Sequence, residues 1–421
     1  MKLDRTVAPK ICQIDHFSIE KPQLHVMRNG MPLNIIQAGS EDVVRFDLLI
    51  QGGQWNQEQP LQAMFTNRML REGTSSMSSA EIAEKLDYYG AWLDLSSSVN
   101  YGFVTLYSLV KYFPQTLEIL ASMVKEPVFP EKELQVVTEI NKQQYLVNSE
   151  RVEVLARKQL NRSLFGNSHP LGRYAELEDY DRITPEILKR FYQTCYHSAN
   201  CSAYVSGKVT PEVVRCIEQQ FGDAAWGDVS QRVHHGEFAA APDDRKRVFI
   251  EKEEALQGSV KMGGFSLNRM HPDYLKLRVL ITLFGGYFGS RLMSNIREEK
   301  GYTYGIGSFN VSLPQRSYWS ITTEVNNEYT EATIEEIFKE IHKLRTETVP
   351  AEELNLVKNY LYGDLLRELD GVFAQSDSLK HKLNYGLDNS FYIGIIEKIR
   401  QCTPEAILEL ADKYWNPEEM Y

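Results

Sequence analysis

Residues Pro130-Glu131-Lys132-Glu133-Leu134-Gln135-Val136-Val137 and Pro350-Ala351-Glu352-Glu353-Leu354-Asn355-Leu356-Val357 carry one pattern, Pro-x-x-Glu-Leu-x-x-Val, in two distant parts of the chain. In each, proline opens a long helix and glutamate sits in the first turn, where the helix dipole favours negative charge. The order of elements upstream is also the same: an apolar strand, two short helices, a glycine (Gly90 or Gly301), two strands rich in Tyr, Ser and Thr, and an amphipathic helix (114–124 or 331–344). Such a long-period echo is the mark of a duplicated unit. Strands alternating with pairs of helices predict an α+β fold: two homologous domains, each an antiparallel β-sheet packed with helices.

Local signals fill in this frame. Thr184-Pro185-Glu186, Thr210-Pro211-Glu212 and Thr403-Pro404-Glu405 each place a capping hydroxyl before a first-turn proline. Ser78-x-x-Glu81 is a capping box, and Gly90 closes the helix it starts. Val44, Phe46, Leu48 and Ile50 alternate as one face of a strand; Phe103, Val104, Leu106 and Tyr107 form a fuller apolar run, and Trp319 and Ile321 oppose Tyr318, Ser320 and Thr322. Residues 222–245 show no sustained period and are rich in turn and linker residues, which predicts a domain over 1–228, a linker over 229–245 and a second domain over 246–421. The His234-His235 pair in that stretch reads as solvated linker histidines, because adjacent imidazoles on an irregular segment point different ways.

The 421 residues hold 46 Lys+Arg against 57 Asp+Glu, a net charge of −11 that gives no overall field for gathering nucleic acid or anionic lipid. No run approaches the roughly 18 apolar residues of a membrane span. The first residues, with Asp4 and Asp15 and no apolar core, fit neither a secretory signal nor a transit peptide, so a cytoplasmic location is expected. Cys12, Cys195, Cys201, Cys216 and Cys402 are scattered, with no Cys-x-x-Cys, and read as reduced thiols.

Two longer motifs carry a resemblance. Phe284-Gly285-Gly286-Tyr287-Phe288-Gly289-Ser290-Arg291-Leu292, followed by Asn295-Ile296-Arg297-Glu298-Glu299-Lys300-Gly301-Tyr302-Thr303-Tyr304, is similar to the second-half signature of the insulinase and mitochondrial-processing-peptidase family of zinc metallopeptidases. His169-Pro170-Leu171-Gly172-Arg173 resembles another of its recurring segments, and the two-copy organisation matches over nearly the whole chain. The resemblance implies a first-half helix bearing His-x-x-Glu-His, two imidazoles one turn apart for zinc and a carboxylate to activate water. The matching helix reads Ala63-Met64-Phe65-Thr66-Asn67-Arg68-Met69, with Met64 and Arg68 in the histidine places and Asn67 in the glutamate place. A guanidinium cannot coordinate, a thioether is too soft to hold zinc alone, and an amide cannot take a proton from water. Gln144 falls nearest the family's third ligand, with Glu139 the closest carboxylate before it, and a lone carboxylate is not a catalytic zinc site. No metal and no cofactor are therefore expected, and His169 reads as a loop residue beside Pro170.

The resemblance also implies that an arginine and a tyrosine of the second half reach the scissile carbonyl, and Arg297 and Tyr304 match that pair. Both are donors suited to a developing oxyanion. On the residues alone, Arg297 could instead pair with Glu298 or Glu299, and Tyr304 could be an ordinary strand aromatic. Gly285, Gly286 and Gly289 could permit a sharp helix-to-helix turn with φ > 0, or form a peptide-binding loop at a cavity mouth. The expected function is the complementary subunit of a heterodimer whose homologous partner bears the zinc, binding peptide and polarising its carbonyl. The alternatives are a non-catalytic peptide-binding or structural assembly protein and, behind it, a self-sufficient peptidase.

Overall fold

The computed structural model describes residues 6–7, 19–233, 236–387 and 390–421; Cys12 and His234-His235 lie outside them. The first half runs β1 (Gln23–Val26), β2 (Pro32–Gln37), β3 (Val43–Ile50), α1 (Gln62–Met69), α2 (Ser79–Tyr88), β4 (Trp92–Ser97), β5 (Gly102–Leu109), α3 (Phe113–Lys125), α4 (Glu131–Ser149), α5 (Val152–Phe165), α6 (Leu177–Asp181), α7 (Pro185–Cys195), β6 (Cys201–Gly207) and α8 (Pro211–Ile217). The second runs β7 (Gln257–Ser266), α9 (Tyr274–Ile281), a wide helical segment Met293–Glu299, β8 (Thr303–Val311), β9 (Ser317–Asn326), α10 (Thr330–Thr346), α11 (Ala351–Glu368), α12 (Val372–Leu383), α13 (Ser390–Arg400) and α14 (Pro404–Tyr414).

The capping hydroxyls act as their positions require: Thr184, Thr210 and Thr403 accept from the N–H groups of Ile187, Val213 and Ala406, and Ser78 and Glu81 close a reciprocal box. Pro130 and Pro350 cap α4 and α11, and Gly90 and Gly301 end the preceding short helices at φ 63° and 68°. The sheets share an antiparallel core, β3-β5-β4 in the first half and β7-β9-β8 in the second. The first sheet is larger, adding β6 antiparallel to β3, β2 parallel to β6, and β1 at the edge. The fold is thus α+β with duplicated halves, but the first sheet is mixed because β6 returns beside β2 through intervening helices, and only such a long crossover can make a parallel pair.

Each sheet packs a main core: Val44, Phe46, Leu48, Leu106 and Phe65 in the first half, Ile321, Trp319, Phe284 and Ile341 in the second. The halves then exchange helices. α5 lies on β7, where Leu160, Leu164 and Phe165 meet Phe265 and Tyr318, and α12 lies on β6 and β2 of the first sheet. At the two β-hairpin tips the amides of Asn100 and Gln315 meet, with Gln315 Nε2 donating to Asn100 Oδ1 at 2.8 Å.

Candidate functional site

α1 has alanine, phenylalanine and methionine facing the core, so its remaining positions are set by what surrounds them. Asn67 is 1% exposed. Its Nδ2 donates to the carbonyls of Ser96 (2.6 Å) and Phe103 (2.9 Å), and its Oδ1 accepts from the Tyr196 hydroxyl (3.0 Å). The side chain therefore ties α1 to β4, β5 and the end of α7, and both its amide hydrogens are committed. Tyr196 is wholly buried, and its phenol is pushed well above the ordinary range by desolvation and by neighbouring Cys195 and Cys201. Met64 is half-buried against the first-half core, and Arg68 is half-buried with no carboxylate partner among the described residues.

The third-ligand region is farther out. On α4, Gln144 and Glu139 are both exposed, and Glu139 is paired with Lys142. The link from α4 back to α1 is aromatic, Tyr145 to Tyr180 to Phe65 at 5.6 and 6.2 Å. Among the described residues no three His, Cys, Asp or Glu side chains cluster as a metal set. The residues present do not fit zinc: a saturated amide, a thioether and a cation offer neither three ligands nor a base.

In the second half the geometry turns outward. Arg297 lies in the last turn of Met293–Glu299, and its guanidinium sits over the Phe288 ring, 4.6 Å from the centroid, with no ion pair to Glu298 or Glu299. The ladder between β8 and β9 slips between Thr303 and Ile306, so Tyr304 and Gly305 together oppose one residue. Thr303 Oγ1 pins this bulge by donating to the carbonyls of Glu324 (2.7 Å) and Gly305 (2.9 Å). A bulge re-aims a side chain, and Tyr304 is 92% exposed with no partner for its phenol. Among the described residues no hydrogen bond, ion pair or ring contact joins α1 to Arg297 or Tyr304.

One expectation needs correction. Gly285, Gly286 and Gly289 do not have positive φ. Instead a Cβ on Gly285 would lie 2.7 Å from the Ser308 nitrogen, so this glycine lets the helical turn Thr282–Gly286 that continues α9 approach β8; Gly286 and Gly289 are exposed. His169 does lie in a loop beside Pro170, and it is also buried there: it is 1% exposed, stacked on Phe165 at 4.8 Å, with Trp55 edge-on, and its pKa is lowered by desolvation and by Arg316. Sequence reading missed Tyr196 altogether, since nothing local to it announces a partner 129 positions away.

Sequence and structure comparisons agree with this architecture. Residues 35–173 match Insulinase (Peptidase family M16), and residues 182–361 match Peptidase M16 inactive domain. The chain belongs to the M16 peptidase family, as a homologue of the inactive type. An uncharacterized zinc protease of Rickettsia felis is 24% identical over 419 residues, covering 96% of each chain. A non-peptidase homolog YmxG of Helicobacter pylori is 24% identical over 356 residues, 83% of this chain and 78% of that protein. The solved peptidase M16 inactive domain from Pseudomonas fluorescens superposes with a TM-score of 0.81 at 22% identity, covering 95% of this chain and 96% of that one.

Proposed function

We propose that this chain is the complementary, metal-free subunit of a heterodimeric zinc peptidase. It has two peptidase-like domains, 1–228 and 246–421, joined by the linker 229–245. A homologous partner with intact His-x-x-Glu-His supplies metal and base, while Arg297 and Tyr304 donate to the scissile carbonyl oxygen and the Gly285–Gly289 loop borders the peptide. The observation that carries this reading is the contrast between Asn67, consumed by structural hydrogen bonds, and Tyr304, held outward by a pinned bulge without a partner. Such donors can contribute a few kcal/mol once water is excluded. The four described cysteines are all buried free thiols, which supports a cytoplasmic setting. Among the described residues no helix is long and apolar enough to cross a membrane.

The test is to mix the purified chain with such a partner and assay peptide cleavage. Activity in the mixture that neither chain has alone supports the reading. One tightly bound zinc per chain, with chelator-sensitive cleavage by this chain by itself, refutes it in favour of a self-sufficient peptidase. A stable complex that never cleaves favours the peptide-binding or assembly role.

A further inference from the structure

A cavity in the second half is lined by none of Asn67, Arg297 or Tyr304. Of about 410 Å³, it is formed where the end of β7 meets the β8–β9 hairpin and the end of α14. Its lining is mixed; Phe265, Leu277, Trp319, Tyr414 and Trp415 form the apolar side, with Trp319 and Trp415 stacked at 4.9 Å and almost wholly buried behind the half-buried Phe265 and Tyr414.

The polar groups on this wall are mainly donors without acceptors. The Trp415 Nε1–H and the Ser266 hydroxyl are buried and unpartnered. His271 Nδ1 accepts from the Asp273 N–H at 3.1 Å, which leaves the ring hydrogen on Nε2 and no acceptor for it among the described residues. Arg316 lies over the Phe265 ring, 4.1 Å from the centroid, and has no carboxylate partner among the described residues. Asn268 and Gln315 are already committed, to the Pro314 carbonyl and to Asn100. No aspartate or glutamate lines the cavity. The nearby acid, Asp273, is taken by the Tyr414 hydroxyl at 2.7 Å and by Lys413 at 3.2 Å.

Unmade hydrogen bonds from buried donors are costly, and a cation with free N–H groups beside an aromatic wall is a recognition element for a carboxylate or phosphate. We propose that this cavity binds a small organic anion with a flat apolar body, a carboxylate or a phosphate monoester. Arg316 and the His271 Nε2–H hold the charged end while the part-exposed rings of Phe265 and Tyr414 take the body. The volume is in the range of small-molecule sites and leaves room for one ring and its charged group. This site is independent of the heterodimer proposed above.

Isothermal titration of the full chain tests it with phenylacetate, phenyl phosphate and the neutral 2-phenylacetamide. At least one anion is expected to bind, with the amide roughly tenfold weaker or worse, and a preference between the anions separates carboxylate from phosphate. Arg316 is exposed, so Arg316→Gln leaves the fold intact; it should weaken the anion about tenfold and flatten its salt dependence, and Arg316→Lys should recover part of the loss. No binding of either anion up to about 10 mM, a range that already admits millimolar affinity, overturns the proposal. So does equal binding of the amide, or an Arg316→Gln variant that binds as the parent does.

Discussion

The exchanged helices solve one packing problem with different chemistry: both bury apolar side chains, and one of them adds ions. α5 covers the second sheet with Leu160, Leu164 and Phe165, an apolar surface that meets Phe265 and Tyr318 edge-on. α12 covers the first sheet with an apolar cluster, Leu379 and Val372 on Ile36, Leu49 and Tyr204, and adds ions beside it. Arg45 and Asp47, 2% and 1% exposed on β3, meet Asp377 and Lys380 of the helix. The Arg45 guanidinium donates to both Asp377 oxygens (3.1 and 2.7 Å) and to Asp47 (2.9 Å), while Lys380 reaches Asp47 at 3.0 Å and Asp377 at 2.8 Å. Desolvation works against the charged Arg45, yet Asp47 and Asp377 outweigh it and its pKa is raised. An apolar contact tolerates small shifts, whereas a buried ion network has one good geometry and a heavy penalty for losing a member. The apolar contact holds the halves together; the ionic one fixes how they sit. Two residues of the site differ in a similar way, with Asn67 turned into the structure and Tyr304 left facing out.

The largest effect should come from breaking the ionic side. Asp47→Ala leaves buried Arg45 and Lys380 with only the half-exposed Asp377 to share, and should cost about 3–5 kcal/mol in urea unfolding. Phe165→Ala, on the apolar side, should also cost several kcal/mol, about 3–5 for a fully packed ring. The two are told apart by the triple replacement of Arg45, Asp47 and Lys380 with apolar residues of similar volume, which should recover most of the Asp47→Ala loss. If it recovers nothing, the ions contribute more than geometry and the contrast fails.

Next is Asn67→Ala, which strands two carbonyls and the Tyr196 hydroxyl in the first-half core. Each unmade bond costs roughly 1–3 kcal/mol, and relaxation should keep the total near about 3 kcal/mol. Tyr304→Phe, at a fully outward position, should change stability by less than about 0.5 kcal/mol. The sign of the comparison reverses in the mixed peptidase assay. There Arg297→Ala or Tyr304→Phe should lower turnover about a hundredfold with the complex intact, and Arg68→Ala should do far less. Normal complexes with unchanged turnover in both second-half variants would leave the binding or assembly role as the better account.

A modest, pH-dependent effect is acid release of α12. Burial raises the Asp377 pKa, but hydrogen bonds and charges from Arg45 and Lys380 prevail and lower it below the ordinary aspartate value. A carboxyl depressed in the folded state contributes stability that is full above its unfolded value, near about 3.9, and is lost as pH falls through the folded value. Asp377→Asn should therefore be destabilised relative to the parent at pH 7, by no more than about 1 kcal/mol because the carboxylate is half-exposed. The gap should close in acid, and a gap constant from pH 7 to pH 2 would remove Asp377 from the latch.

Much of the fold was legible along the chain because the signals are local. A threonine before proline caps a helix wherever it folds, and the Pro-x-x-Glu-Leu-x-x-Val echo marked the duplication before any contact was known. That Met64, Asn67 and Arg68 offer no set of zinc ligands was likewise readable, since side-chain chemistry does not depend on the fold. Tertiary structure alone decided the rest: which sheet α5 and α12 cover, the parallel pairing of β2 with β6, the burial of His169, the interlock of Asn67 with Tyr196 and the bulge that turns Tyr304 outward. Each of these depends on groups far apart in sequence meeting in one geometry. Period and composition report which face of an element is apolar, but not which distant element will cover it.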